Sequence, residues 1–251
     1  MNGSKFSVTL CILTWNEIDA IKQILPQIDL SLFDQVLVID GNSTDGTIEW
    51  CREQGLEVFV QKLNGLRQAY QEAIPHIRSE YMITFSPDGN SVADRLPALV
   101  EKLREGYDMV IVSRYLDDAK SEDDDIVTSF GNWLFTKTVN ILHGGSYTDV
   151  MVMYRGYRTR LLRDLGLNGD AGFVFAERMF FCRIGMEPLL SVRAARAKLK
   201  IGEIPGDEPK RIGGKRKLQI VRWGLAHVYQ FARALFPPYF RLDNDHGDDA
   251  G

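Results

Sequence analysis

Short apolar runs recur along the first 113 residues at close to regular intervals. Residues 6–13 (FSVTLCIL), 35–39 (QVLVI), 56–60 (LEVFV), 81–85 (YMITF) and 107–113 (YDMVIVS) show little alternation of polar and apolar positions. In 6–13 that is the pattern of a strand covered on both faces; 35–39 reads as the next buried strand and the other runs as further strands. Helical patterns fill the gaps. Asn16 is placed to cap a helix with Asp19 at its third position, and Ile18, Ile21, Leu25 and Ile28 then share one face. The loop GNSTDGT leads into a helix over 45–54 that Gly55 closes. A helix over 66–78 turns Leu66, Ala69, Ala73 and Ile77 inward, and another spans 92–104. Strands alternating with amphipathic helices predict a parallel sheet with helices on both faces, a Rossmann-like half. Ligands of such sheets bind beyond the carboxyl ends of the strands. Asp40, Asp88 and Ser113-Arg114 fall at such ends.

The second half is less regular. SEDDD (121–125) reads as an exposed acidic loop, followed by a helix over 127–142 and then loops and helices to 197. Residues 198–205 (KLKIGEIP) predict one more strand, and 216–236 an aromatic-rich amphipathic helix. That helix is either part of the core or a surface that meets a membrane. No Pro/Gly/Ser-rich linker interrupts the chain, so residues 1–240 read as one domain and 241–251 as a disordered acidic tail.

Charge and composition narrow the chemistry. The 251 residues are 45% hydrophobic and 25% charged with a net charge of −4, which argues against nucleic acid as a partner. Cys11, Cys51 and Cys182 form no CxxC pair and read as reduced thiols of a cytoplasmic protein. No apolar run reaches a membrane span, and no signal-peptide pattern is present. Against the acidic total, residues 193–222 hold ten basic and three acidic side chains. A solvated face, a phosphate clamp and a contact with anionic lipid all fit that excess. The loop Asp40-Gly-Asn-Ser-Thr-Asp45 can hold a ribose or base edge, or simply cap a helix through Ser43 or Thr44. FSPDGNS (85–91) can be a tight turn or can hold a divalent ion through Asp88 and Asn90. Neither G-x-G-x-x-G nor a P-loop occurs, which disfavours dinucleotide oxidoreductases and kinases.

TWNE (14–17), VIDGNSTDGT (38–47), SPDGN (86–90), YDMVIVSRY (107–115) and EIPGDEPKRIGGKRKL (203–218) occur in this order. Together they resemble the family 2 inverting glycosyltransferases of GT-A fold. They are most similar to the polyprenyl-phosphate sugar transferases of the dolichyl-phosphate mannose synthase type. The resemblance implies a nucleotide-sugar half over 1–115 and an acceptor half over 116–240. It implies that Thr14, Asn16, Glu17, Asp40, Asn42, Asp45, Gly65 and Arg67 serve a GDP- or UDP-linked sugar. Asp88 and Asn90 would hold Mg²⁺ or Mn²⁺, and Arg114, Arg211 and Lys217 the acceptor phosphate. Asp88, Arg114 and Asp149 would be catalytic, Asp149 as the base if the acceptor is a hydroxyl.

Four residues depart from the family pattern. Ser86 stands where the first aspartate of a D-x-D motif is expected, which implies a weaker metal site. Leu13 replaces a proline, Arg216 a serine and Phe130 a basic residue. The implied activity is inverting transfer of a sugar to a polyprenyl phosphate. The protein would be cytoplasmic, with peripheral contact to the membrane or to a membrane-protein partner. A transferase with a soluble hydroxyl acceptor, a nucleotidyltransferase and a non-catalytic nucleotide-sugar-binding protein are the alternatives.

Overall fold

The computed structural model describes residues 6–212 and 220–236. Lys217, the expected helical residues 216–219 and the acidic tail 241–251 lie outside them. Seven strands form one sheet in the order β3-β2-β1-β4-β6-β5-β7. They are β1 Val8–Thr14, β2 Gln35–Asp40, β3 Glu57–Val60, β4 Tyr81–Phe85, β5 Met109–Ser113, β6 Arg155–Arg158 and β7 Ile201–Pro205. Parallel ladders join β3, β2, β1 and β4, and another joins β5 to β7. β6 lies antiparallel between β4 and β5, so the second half of the chain is woven into the centre of the sheet.

The near-continuous apolar strands feed two cores at once. Leu10 and Ile12 of β1 pack on one side with Ile21, Leu96 and Leu99. Cys11 and Leu13 face the other side, with Tyr70, Leu189 and Phe231. The helices are α1 Ile18–Ile24, α2 Thr47–Glu53, α3 Leu66–Ala73, α4 Leu96–Arg104, α5 Ile126–His143, α6 Leu161–Asp164, α7 Val174–Phe180, α8 Glu187–Arg196 and α9 Ile220–Arg233. Side chains alternate across a strand, so a strand buried on both faces needs apolar residues at every position.

Several expectations are corrected. β6 was not expected, because its sequence RGYR carries two arginines. Arg155 is nevertheless fully buried. Its guanidinium donates to the carbonyls of Val150 and Val152 and to Ser191 Oγ, which satisfies it without solvent. In α3 the inward residues are Arg67, Ala69, Tyr70 and Ala73, while Leu66 is exposed. The buried Arg67 ion-pairs with Asp170 and Glu177 and stacks over Phe173. Asn16 does not cap α1. It adopts φ 57°, and the N-cap is Glu17. The α1 amides are met from the next loop instead: Glu17 N donates to Thr47 Oγ1 and Ile18 N to Asp45 Oδ2. Neither Ser43 nor Thr44 caps α2, whose N-cap is Gly46.

Candidate active site

The loops after β1 and β2 interlock. Asn16 N donates to Ser43 Oγ (2.8 Å), and Thr44 N donates to Asn16 Oδ1 (2.8 Å). Asp40 is fully buried beneath them. Its Oδ2 accepts from Thr14 Oγ1 (2.6 Å) and Ser43 Oγ (2.7 Å), and its Oδ1 from Ser43 N (2.7 Å). Asp45 accepts from Thr47 N, Thr47 Oγ1 and Ile18 N. These carboxylates hold the loop's shape.

The loop opens onto a cavity of about 1030 Å³. Thr14, Asn16, Glu17, Asn42 and Gly65 line it, whereas Asp40, Asp45 and Arg67 do not. Arg67 instead ties α3 to α7 by the ion pairs described above. Asp88, Asn90, Arg114 and Arg211 also line the cavity, but Asp149 does not.

The turn after β4 is compact. Asp88 Oδ1 accepts from Asn90 N (3.1 Å), and Asp88 O accepts from Ile212 N (2.8 Å). Gly89 has φ +94°, and a Cβ there would stand 2.8 Å from Ile212 Cγ1, so the position requires glycine. Arg211 lies over the turn, its Nη1 3.2 Å from Asp88 Oδ2 and its Nε 3.3 Å from Asp123 Oδ2. Asn90 Nδ2 donates to Asp123 Oδ2 (3.1 Å). Asn90 Oδ1 is buried with no hydrogen-bond partner. Beside the Asp88 carboxylate, that oxygen suits a hard divalent ion.

Arg114, after β5, is a junction. It donates bidentately to Asp149 (Nε to Oδ2 2.6 Å, Nη2 to Oδ1 3.1 Å). Its Nη1 reaches Glu208 (3.0 Å) and Asp124 (3.3 Å). Burial works against the charge on Arg114, but the three carboxylates outweigh it and raise its pKa. Burial likewise works to raise the pKa of Asp149, and the Arg114 guanidinium outweighs it, leaving that carboxyl below its usual range. Asp149 is therefore the buried anion that holds Arg114, not a base facing the cavity. Arg114 in turn already has three acidic partners where an acceptor phosphate was expected.

The acidic run 121–125 also differs from the exposed loop expected. Its Asp123 and Asp124 side chains turn inward, with exposures of 19% and 5%. The loop is stitched to the segment after β7: Glu122 N donates to Glu208 O (2.8 Å) and Glu208 N to Lys120 O (2.9 Å). Glu187, at the start of α8, was missed altogether. It lines the cavity, is 6% exposed, and its Oε1 has no hydrogen-bond partner. Burial raises its pKa. The irregular sequence before α8 gave no sign that this acid faces the cavity.

At its other end the cavity runs between α5 and α9, along Val127, Gly131, Phe135, Trp223 and Gly224. These helices continue outward as an apolar surface. Ile126, Phe130, Trp133 and Ile141 of α5 are exposed, as are Val221, Leu225 and Val228 of α9. Phe181, just after α7, is 81% exposed. The buried face of α9 carries Ala226, His227 and Phe231, so the helix is both core and surface. No described helix is long and apolar enough to cross a membrane.

Comparison with known proteins agrees with this architecture. The model of the family described as glycosyl transferase family 2 matches residues 9–166. The glycosyltransferase AglJ of Haloferax volcanii is 29% identical over 92% of this chain and 74% of its own. An undecaprenyl-phosphate mannosyltransferase of Micrococcus luteus is 27% identical over 90% of this chain and 98% of its own. Among solved structures, glucosyl-3-phosphoglycerate synthase of Mycobacterium tuberculosis, in complex with Mn²⁺, UDP and glucosyl-3-phosphoglycerate, superposes with a TM-score of 0.64 at 15% identity. That match covers 94% of this chain and 82% of the synthase. Mannosyl-3-phosphoglycerate synthase of Rubrobacter xylanophilus gives 0.65 at 18% identity, over 92% and 74%. The expected GT-A fold is borne out.

Proposed function

The chain belongs to glycosyl transferase family 2, and from that premise we propose that it moves a sugar, with inversion, from a nucleoside diphosphate sugar to a polyprenyl phosphate. The observation that carries this reading is the cavity's shape. Charged groups at the strand ends pass without a break into the apolar wall between α5 and α9. A phosphate on an isoprenoid chain needs both ends.

In this reading Asn16, Glu17, Asn42 and Gly65 cradle the nucleoside diphosphate, while Asp40 and Asp45 keep their loop rigid. Asp88 and the Asn90 oxygen would hold Mg²⁺ or Mn²⁺. Such an ion offsets charge on the departing diphosphate. Arg211 and Lys217 take the acceptor phosphate, and Arg114 positions the acids around it. An acceptor that is already an anion needs no general base, which suits the buried, arginine-bound state of Asp149. The exposed α5/α9 surface would meet the membrane, where the acceptor is held. Names of relatives support the acceptor class, since the Micrococcus protein is called an undecaprenyl-phosphate mannosyltransferase.

Glu187 favours a second reading. A buried carboxyl with a raised pKa facing the cavity could serve as base for a soluble hydroxyl acceptor. Radiolabelled sugar transfer into organic-extractable product separates the two. With polyprenyl phosphates, Arg211→Ala should lose a charged contact of roughly 1.5–3 kcal/mol, about ten- to a hundredfold in kcat/KM, and Glu187→Gln should have little effect on extractable product. Transfer only to water-soluble alcohols, abolished by Glu187→Gln, would favour the hydroxyl acceptor. No extractable product with any sugar nucleotide would overturn the lipid reading.

A further inference from the structure

The turn after β4 carries one carboxylate, with Ser86 where a second is expected. The fold brings another carboxylate to that turn from 35 residues downstream. Asp123 sits beside Asn90, which donates to it through Nδ2 (3.1 Å). Arg211 lies across Asp88 and Asp123, within 3.2 and 3.3 Å of one oxygen of each. The partnerless, buried Asn90 Oδ1 points to a ligand that the protein itself does not supply.

We propose that Asp123 is the second carboxylate ligand of the metal site, and that Arg211 is an internal cation which the metal displaces. This rests on the metal-dependent transfer proposed above. Divalent ions such as Mg²⁺ use oxygen ligands. Asp88, Asp123 and Asn90 Oδ1 offer three, leaving further positions for a diphosphate and water. A guanidinium has no acceptor atom and does not lose its proton. Its fixed positive charge is repelled by a divalent ion held at the same carboxylates, so it swings away when one binds.

Two backbone features fit this exchange. The loop bearing Asp123 is pinned to the segment after β7 by Glu122 N to Glu208 O and Glu208 N to Lys120 O. That pinning fixes the ligand in place. Ile212 N is bonded to Asp88 O, so the Arg211 side chain can swing away while the backbone beside it stays anchored to the turn. The released guanidinium is then available to the acceptor phosphate. Ion binding thereby becomes a condition for acceptor binding.

The test is Mn²⁺ titration of the full chain, followed by electron paramagnetic resonance and calorimetry, without nucleotide and then with UDP. Thermal melts check that each variant is folded. Asp123→Asn should weaken Mn²⁺ by at least about tenfold, since loss of even an outer-shell partner typically costs about 10–100-fold. Arg211→Ala should tighten it severalfold. If Asp123 serves only to anchor Arg211, Asp123→Asn would leave Mn²⁺ affinity unchanged or improve it, and the assignment is overturned. Should Asp88→Asn abolish binding while Asp123→Asn leaves it unchanged, Asp123 is not a ligand and the transfer reading survives. A wild-type chain that binds no Mn²⁺ even with UDP would overturn the metal reading and this assignment together.

Discussion

The loop after β2 and the turn after β4 both lie at the carboxyl edge of the sheet, yet they treat their carboxylates differently. Asp40 and Asp45 have both oxygens engaged by neighbouring hydroxyls and amides, with no cation among the described residues involved. Asp88 and Asp123 share an arginine, and the amide oxygen of neighbouring Asn90 has no partner. Closed hydrogen-bond sets hold a shape and resist change. An unpaired buried oxygen is costly to keep, and the one at Asn90 is where the proposed ion would bind. The first loop thus offers a ligand its contour, and the second offers it charge.

The largest expected effect breaks the second site. Asp88→Ala should lower transfer on the order of a thousandfold, because metal stabilisation of developing charge is worth several kcal/mol and each 1.36 kcal/mol is tenfold. Mn²⁺-dependent nucleotide binding should go with it, while the melting temperature stays close to wild type. Unchanged turnover would remove Asp88 from the site.

Next is Asp149, which should act on stability through its buried pair with Arg114. Breaking such a pair typically costs about 3–5 kcal/mol, so Asp149→Asn should shift the urea midpoint strongly downward. Its pKa is lowered in the fold from 3.8. The stability it contributes is present above pH 3.8 and is lost as the pH falls below that value toward the folded-state pKa. Acid titration of wild type should show this loss, and the variant should lack that component. A variant with unaltered acid sensitivity would mean that the pair does not persist in solution.

A smaller effect is expected at the first loop. Asp40→Asn replaces an accepting oxygen with an NH₂ group that faces donors, which should cost roughly 1–3 kcal/mol. Its signature is lost stability with intact Mn²⁺ affinity. A parallel loss of metal affinity would erase the contrast between the two loops. The smallest change is Ser86→Asp, which adds a charged oxygen beside Asp88 and should tighten Mn²⁺ severalfold. Equal or weaker binding would show that position 86 does not face the ion.

Those contrasts were only partly legible in the sequence. β1, β2, β4 and β5 were readable because strands covered on both faces carry apolar runs, and the half-buried edge strands β3 and β7 from shorter apolar stretches. β6 was not, since a buried arginine satisfied by carbonyls looks like a surface residue in sequence. The turn at Asp88 and the loop at Asp40 were found from their places at strand ends. What the residue types there could not reveal is occupancy: Asp40 spends its oxygens on Ser43 and Thr14, and Asp149 on Arg114. Asp123, Asp124 and Glu208 were unreadable for another reason. An acidic run ordinarily faces solvent, and only the pairing of residues 120–122 with 207–208 turns this one inward. Leu66 and Arg67 exchanged their expected environments because Asp170 and Glu177, more than 100 residues away, make burial of the arginine tolerable.

Among the described residues, five carboxylates and two guanidiniums meet at one end of the cavity, through the pairs of Arg114 and Arg211. These groups alone leave an excess of negative charge, although the ligand proposed for that end is an anion. A bare diphosphate meets repulsion on approach, whereas a diphosphate already carrying its ion does not. Donor and spent nucleotide should then travel as complexes with the metal. Ionic strength should have opposite consequences for the two species: added salt, which shortens the screening length to about 10 Å at 0.1 M, should quicken the encounter with free nucleotide and leave that with the complexed form little changed.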